Sequence, residues 1–284
     1  MKRLIKRTIL GIWQNVIPRT ARNSLRLWLM LDMPDRAPQL ISVFSDGPVV
    51  VLAPHMDDEI IGPGGAVIRH VQDGARVAFI FMTDGLAGDP ELMASNPSAE
   101  ELTRKKREMS EVRKDESRAA AQMVGVNDLL FLDGPDGNLS DSPEMINALA
   151  TALSQRKAAL IYAPALTDNH KDHWATNRVL RRAIEKLPPT QVSHLTIRGY
   201  EVWSALPANR MADITAVARQ KQQAINAFTS QLKYVDYNWT AMGLNQYRSM
   251  VHLHGHGHAE AFLELTAAQF CEFFDAILVR SGKK

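Results

Sequence analysis

From residue 35 onward the chain alternates short runs of strand formers with longer blocks of helical periodicity, and few folds accommodate that rhythm. Strands are expected at residues 48–53, 77–82, 129–132, 159–163 and 196–203, with helices at 60–72, 101–123, 143–155 and 174–187 between them. Strand and helix repeated in this way predict an α/β fold with a mostly parallel sheet covered by helices on both faces. Right-handed crossovers then bring every strand's carboxyl end to one edge. Past residue 205 the rhythm loosens. A helix at 219–228 and an amphipathic C-terminal helix at 266–279, with Phe270, Phe273 and Phe274 turned to the core, are expected there. No linker divides 35–284, so these residues are expected to form a single domain, with 1–34 as a basic, amphipathic N-terminal helical extension.

The shared edge is where chemistry collects in such folds. It would gather His55-Met56-Asp57-Asp58-Glu59, then Thr83-Asp84-Gly85, then Asp133-Gly134-Pro135-Asp136-Gly137, and finally the loop from Leu166 to His173. A helix start capped by Asp57 or Asp58 explains one acid in the first cluster, not three beside a histidine. A catalytic zinc site needs three protein ligands and one open position. His55 and Asp58 can supply two. The third should come from His170-Lys171-Asp172-His173, where either histidine qualifies on chemistry alone. Asp172 can accept a proton from a ligand imidazole and fix its tautomer. If Asp58 binds metal, Asp57 is left free to take a proton from water, and Glu59 supports the helix start. Asp84 and Asp133 have the chemistry to bind substrate hydroxyls or simply to be solvated.

These segments carry a resemblance. Pro54-His55-Met56-Asp57-Asp58-Glu59 resembles the His-Pro-Asp-Asp-Glu signature of the PIG-L/LmbE-like zinc deacetylases, and His170-Lys171-Asp172-His173 resembles their His-Pro-Asp-His signature. Thr83-Asp84-Gly85, Arg113 to Glu116 with Ala119-Ala120-Ala121 and Val124-Gly125, Tyr200 to Trp203, Asp213-Ile214, Lys221 with Ala224, Ser230-Gln231 and Ala259 to Phe262 follow in order. The resemblance implies a Rossmann-like fold. It also implies a hydrolase that removes an N-acetyl group from a GlcNAc-type acetamido sugar, or its conjugate, through a zinc-activated water. By position, His55, Asp58 and His173 would be the metal ligands, Asp57 the general base, and His170 the group that stabilises the oxyanion or positions substrate. Arg113 would contact the sugar or its aglycone. Met56 and Lys171 stand where the signatures have proline, which should shift loop geometry and leave the ligands in place. Fe2+ suits the same donor set almost as well as Zn2+. The alternatives are an amidase or deacetylase acting on another N-acyl group or a lipid-linked glycan, and a sugar-binding protein with a vestigial site.

Composition narrows the partners. With 33 basic and 31 acidic residues the net charge is +2, which gives no push toward nucleic acid. The single cysteine, Cys271, excludes an internal disulfide and fits a reducing, cytoplasmic compartment. No stretch approaches the ~18–20 apolar residues of a membrane span. Seven basic residues precede the first acid, Asp32, interleaved with Trp13, Trp28 and several leucines. Residues 1–33 could therefore touch an anionic membrane surface. The preferred reading is a pair of helices packed on the domain or on a partner subunit of a homo-oligomer. His252, His254, His256 and His258 would share one face of an extended strand, but Gly255 and Gly257 favour a loop near the pocket rim. Gly62-Pro63-Gly64-Gly65 lacks the spacing of a phosphate loop; its small residues would let the first helix pack closely on its strand.

Overall fold

The computed structural model describes residues 21, 37–44, 47–87 and 98–280. Its strands are β1 (Gln39–Leu40), β2 (Val49–Ala53), β3 (Val77–Thr83), β4 (Asp128–Gly134), β5 (Leu160–Pro164), β6 (Thr196–Tyr200), β7 (Arg210–Asp213) and β8 (Ala259–Thr266). They join in one sheet of order β1-β7-β8-β6-β5-β2-β3-β4, with β8 antiparallel to both its neighbours and the other pairs parallel. The helices are α1 (Asp58–Ile61), α2 (Gly64–Gln72), α3 (Ala99–Met123), α4 (Pro143–Gln155), α5 (Lys171–Ile184), α6 (Pro189–Val192), α7 (Ala218–Ile225), α8 (Thr229–Leu232), α9 (Tyr237–Arg248), α10 (Met250–Leu253) and α11 (Ala267–Arg280).

β2, β3 and β5 are buried along their whole length, as expected of central strands covered on both faces. Side chains alternate between the faces, so the sheet divides the core in two. Val50, Leu52, Ile80 and Ile161 join Leu153, Val179 and Phe274 from α4, α5 and α11 on one face. Val49, Val51, Phe79 and Phe81 join Val67, Ala121 and Ile225 from α2, α3 and α7 on the other.

The expected strands 48–53 to 159–163 and the helix at 143–155 recur with end shifts of at most two residues. The expected strand 196–203 stops at Tyr200, and the helix expected at 60–72 is two helices broken at Gly62-Pro63. A Cβ at Gly62 would lie 2.3 Å from the Tyr200 ring, and one at Gly65 2.6 Å from Ile214, so the small residues do allow close packing. The α2 N-terminus holds no phosphate-type cradle. Its Gly65 and Ala66 amides donate to the Glu260 carboxylate at 2.6 and 2.8 Å, and Lys221 Nζ donates to the same carboxylate at 2.7 Å. β7, β8 and α9 arise where the sequence rhythm loosened. Two charged residues inside β8, Glu260 and Glu264, break its apolar alternation because buried Lys221 and Arg198 neutralise them.

His252-Leu253 closes α10, and His254 turns in the left-handed region (φ 53°), so the four histidines do not share a strand face. No helix among the described residues is long and apolar enough to cross a membrane. The N-terminal extension expected at 1–34 lies outside the described residues, residue 21 excepted.

One buried group sets a pH dependence. His70 Nδ1–H donates to the Phe44 carbonyl, while Nε2 accepts from the Tyr162 hydroxyl at 3.1 Å; Arg198 in turn donates to that hydroxyl oxygen at 3.0 Å. Every acceptor is used, so a second proton on the imidazole has nowhere to bind. Burial and the Arg198 charge push the His70 pKa down from 6.5 to about 3. The unfolded chain therefore binds more protons than the folded one between those values, and stability falls as pH drops below about 6.5, by up to about 1.4 kcal/mol per pH unit. Urea midpoints should fall less steeply with acidification in His70→Gln than in the parent. Identical slopes would show that His70 does not stay neutral.

The sheet order places β2 between β3 and β5. The chain runs outward through β3 and β4, then returns to β5 on the other side of β2. That reversal opens a crevice at the carboxyl ends of β2 and β5, where the segments following Ala53 and Pro164 meet.

Candidate active site

The turn after β2 is held in an unusual conformation. Asp57 is the N-cap of α1 yet has φ 146°, and its carboxylate makes no capping hydrogen bond. A non-glycine residue there is strained by about 1–3 kcal/mol and persists only where its surroundings enforce it. Here Glu59 Oε2 accepts the Asp57 N–H at 2.9 Å, and the Asp57 carbonyl accepts from Ile60 and Ile61 at 3.0 and 2.9 Å. Arg113, on α3, donates to the Met56 and Gly85 carbonyls at 3.0 and 3.1 Å and so joins this turn to the one after β3. Thr83 Oγ1 donates to the Pro54 carbonyl at 2.7 Å. Met56 is wholly buried against Gly85.

After β5, His170 is the N-cap of α5, its Nδ1 accepting the Asp172 N–H at 3.3 Å. An Nδ1 that accepts places the proton of a neutral imidazole on Nε2. His173, one turn into the helix, is completely buried and faces the β2 turn.

The two segments converge on Asp58. Its Oδ2 lies 3.2 Å from His55 Nδ1 and 3.2 Å from His173 Nε2. Each imidazole is backed at its other nitrogen. His55 Nε2 is 3.3 Å from Asp172 Oδ2 and 3.3 Å from Asp136 Oδ1, and His173 Nδ1 is 3.2 Å from Asp168 Oδ2. Asp172 is itself fixed by the Gly137 and Leu139 amides at 2.8 and 3.1 Å, and Asp168 by those of His170 and Trp203 at 2.9 and 3.3 Å. Single ligand atoms of His55, His170 and His173 also fall within 4.8 Å of one another.

This set fits a divalent cation. Both nitrogens of His173 are buried without an aligned hydrogen bond. Imidazoles with carboxylates behind them are the usual outer support of metal-ligating histidines. The electrostatics agree. Burial alone would lower the His55 and His173 pKa values, yet contacts with Asp136, Asp172 and Asp58 hold His55 well above 6.5, and Asp58 and Asp168 raise His173 to about 9. Burial would raise Asp58, but the His173 and His55 contacts hold it well below the usual carboxylate range. The pocket is a field that calls for positive charge.

Asp57 behaves differently. Burial, then the Asp58 charge, push it up to about 7 against the pull of Arg113, whose Nη2 is 3.7 Å from Asp57 Oδ2. Glu59 is raised well above its ordinary value by burial and by the Asp57 charge. His170 is lowered by burial and by the charges of His55 and His173.

A cavity of about 280 Å3 opens over these groups, lined among others by His55, Asp57, Asp58, Arg113 and His170. Asp84 does not line it. Its Oδ1 accepts the Leu86 and Asp136 amides, both at 3.1 Å, and braces the loop. Asp133 likewise pairs with Lys114 at 2.8 Å. Arg113 does line the cavity, its Nη1 and Nη2 donating to the two loop carbonyls while the guanidinium also faces Asp57 and Asp136. The fold also brings Asp136, Asp168, Trp203, Gln231 and Tyr237 to this site or its cavity, residues to which the sequence alone gives no role. The strand-end positions of Asp136 and Asp168 were the available signal. Replacing Asp168 by Asn should weaken metal binding about 10–100-fold with little loss of fold. An unchanged affinity in a metal-chelator competition would remove Asp168 from the support of His173.

The family described as PIG-L, GlcNAc-PI de-N-acetylase, matches residues 50–184. Diacetylchitobiose deacetylase of Thermococcus kodakarensis is 26% identical over 195 residues, which cover 64% of this chain and 69% of the relative. The 1D-myo-inositol 2-acetamido-2-deoxy-alpha-D-glucopyranoside deacetylase of Mycobacterium sp. (strain KMS) is 27% identical over 184 residues, and the chain spans 56% of its length. Among solved structures, N,N'-diacetylchitobiose deacetylase from Pyrococcus horikoshii superposes with a TM-score of 0.64 at 23% identity, covering 87% of this chain and 92% of that one.

Proposed function

The chain belongs to the PIG-L/LmbE-like family, and we propose that it is a metal-dependent hydrolase that removes the N-acetyl group from a GlcNAc-type acetamido sugar or its conjugate. The convergence of His55 Nδ1, Asp58 Oδ2 and His173 Nε2, with carboxylates behind both imidazoles, carries this reading. These three side chains would hold Zn2+, or Fe2+, with one position open to the cavity. When bound, such a cation supplies Lewis acidity toward water and toward the acetamide carbonyl.

The chain's own groups account for the proton movements. Asp57, with a pKa of about 7 and no capping duty, takes the proton of the attacking water as its oxygen bonds to the carbonyl carbon. His170, carrying its proton on Nε2, donates to the oxygen on which negative charge develops. Asp57 then returns its proton to the amine as the C–N bond breaks, leaving acetate and a free amino sugar. Arg113 keeps Asp57 in place and limits how far its pKa rises.

Chelator-treated protein should be inactive and regain acetate release from a panel of N-acetylated sugars, nucleotide sugars and lipid-linked glycans on adding Zn2+ or Fe2+. A metal-loaded chain that frees no acetate from any of them would refute the reading. For residues 1–33 we propose a peripheral contact with anionic membranes or with a partner subunit in a cytoplasmic setting. Deleting them should lower vesicle partition in the first case and oligomer mass in the second; no change in either refutes both.

A further inference from the structure

Behind the catalytic cavity lies a second one, of about 180 Å3, beneath α9. Trp203 and Tyr237 line both, so the two spaces share an aromatic wall. Val202, Val235, Ala241 and Leu244 form much of its remaining surface. Four polar residues also face it, and each is already engaged, Thr240 through its Oγ1 donating to the Asp236 carbonyl at 3.0 Å. Glu201 accepts from Arg248 and from the Leu206 amide at 2.7 Å. Glu260 accepts from Lys221 and the α2 amides, and Asn245 Oδ1 accepts from Lys221 at 3.0 Å. A polar guest would have to compete with these bonds, whereas an apolar guest gains the transfer free energy of leaving water. The size is right for such a guest, since apolar cavities of roughly 150 Å3 take up benzene.

We propose that this cavity is a second compartment of the active site and takes an alkyl or aryl group carried by the amide substrate. The proposal rests on the deacetylase reading only for which bond is cleaved. It makes Trp203 and Tyr237 the partition between a polar compartment that holds the amide and an apolar one that selects the molecule bearing it.

Two homologous series on the metal-loaded full chain test it. One is alkyl glycosides of N-acetylglucosamine from methyl to octyl; the other is glucosamine carrying N-acyl chains from acetyl to octanoyl. Each buried methylene is worth about fourfold in affinity. In the series whose chain enters the cavity, KM should fall about fourfold per carbon and level off near six carbons, when a roughly benzene-sized space is full. The responding series identifies the source, aglycone or acyl chain. In Ala241→Phe, which fills the cavity from α9, the octyl-to-methyl or octanoyl-to-acetyl ratio of kcat/KM should collapse toward one; Leu244→Trp serves if that variant does not fold. Two flat series, or a chain-length dependence that survives the filled cavity, would overturn the proposal. If no member of either series is hydrolysed, the deacetylase reading fails instead. Calorimetric titration with the same glycosides and amides then decides the cavity: affinity rising with chain length supports it, and equal affinities refute it.

Discussion

Asp57→Asn is expected to lower kcat by about 10²–10⁴-fold while metal content stays at the parent value. Asn preserves the size of the side chain and tolerates positive φ better than most residues, so the strained turn at φ 146° should survive. The hydrogen bonds that enforce that turn run through the Asp57 backbone and Glu59, and neither is altered. What disappears is a cavity-lining carboxylate whose pKa lies near neutrality, and with it the group that carries a proton from water to amine. Turnover and bound metal should be measured on the same sample. Near-parent turnover would sink the assignment of Asp57 as base. Loss of metal would instead make Asp57 a ligand.

His173→Ala is expected to abolish both bound metal and turnover, a larger effect than the 10–100-fold loss typical of an outer partner. His173 lies between Asp58 and Asp168 and is wholly buried. Its removal deletes a donor atom and leaves two carboxylates facing a gap. The variant should therefore also melt at lower temperature, and a circular dichroism scan should accompany the metal analysis. The comparison with His170→Ala is decisive, because the imidazoles of His55, His170 and His173 all approach one another. If His170→Ala loses the metal while His173→Ala retains it, His170 is the ligand and the proposed roles are exchanged.

Much of this architecture was legible in the residues themselves. Val49 to Ala53 form a buried strand because four consecutive strand formers leave little alternative, and Pro54 ends it. Ser142 and Pro143 mark the start of α4, with Ser142 capping the Met145 amide. The second half was harder to read for a physical reason. β8 carries Glu260 and Glu264, which argue against a buried strand until Lys221 and Arg198, distant in sequence, are known to neutralise them. Asp84 shows the same limit from the other side. It sits at a strand end as a substrate-binding group would, and only the fold reveals that backbone amides of two loops converge on its Oδ1.

His55, Asp57, Asp58, His170 and His173 as the chemical inventory, and a parallel α/β sheet as its carrier, follow from the sequence alone, because residue type and local periodicity are properties of neighbours along the chain. Their mutual placement does not. That Asp57 is strained and uncapped, that Asp58 stands between two imidazoles, that Asp136, Asp168 and Asp172 back those imidazoles, and that an apolar cavity lies behind Trp203 and Tyr237 all depend on distances between separate loops. Burial, hydrogen bonding and charge act through space, and tertiary structure alone decides which groups share it.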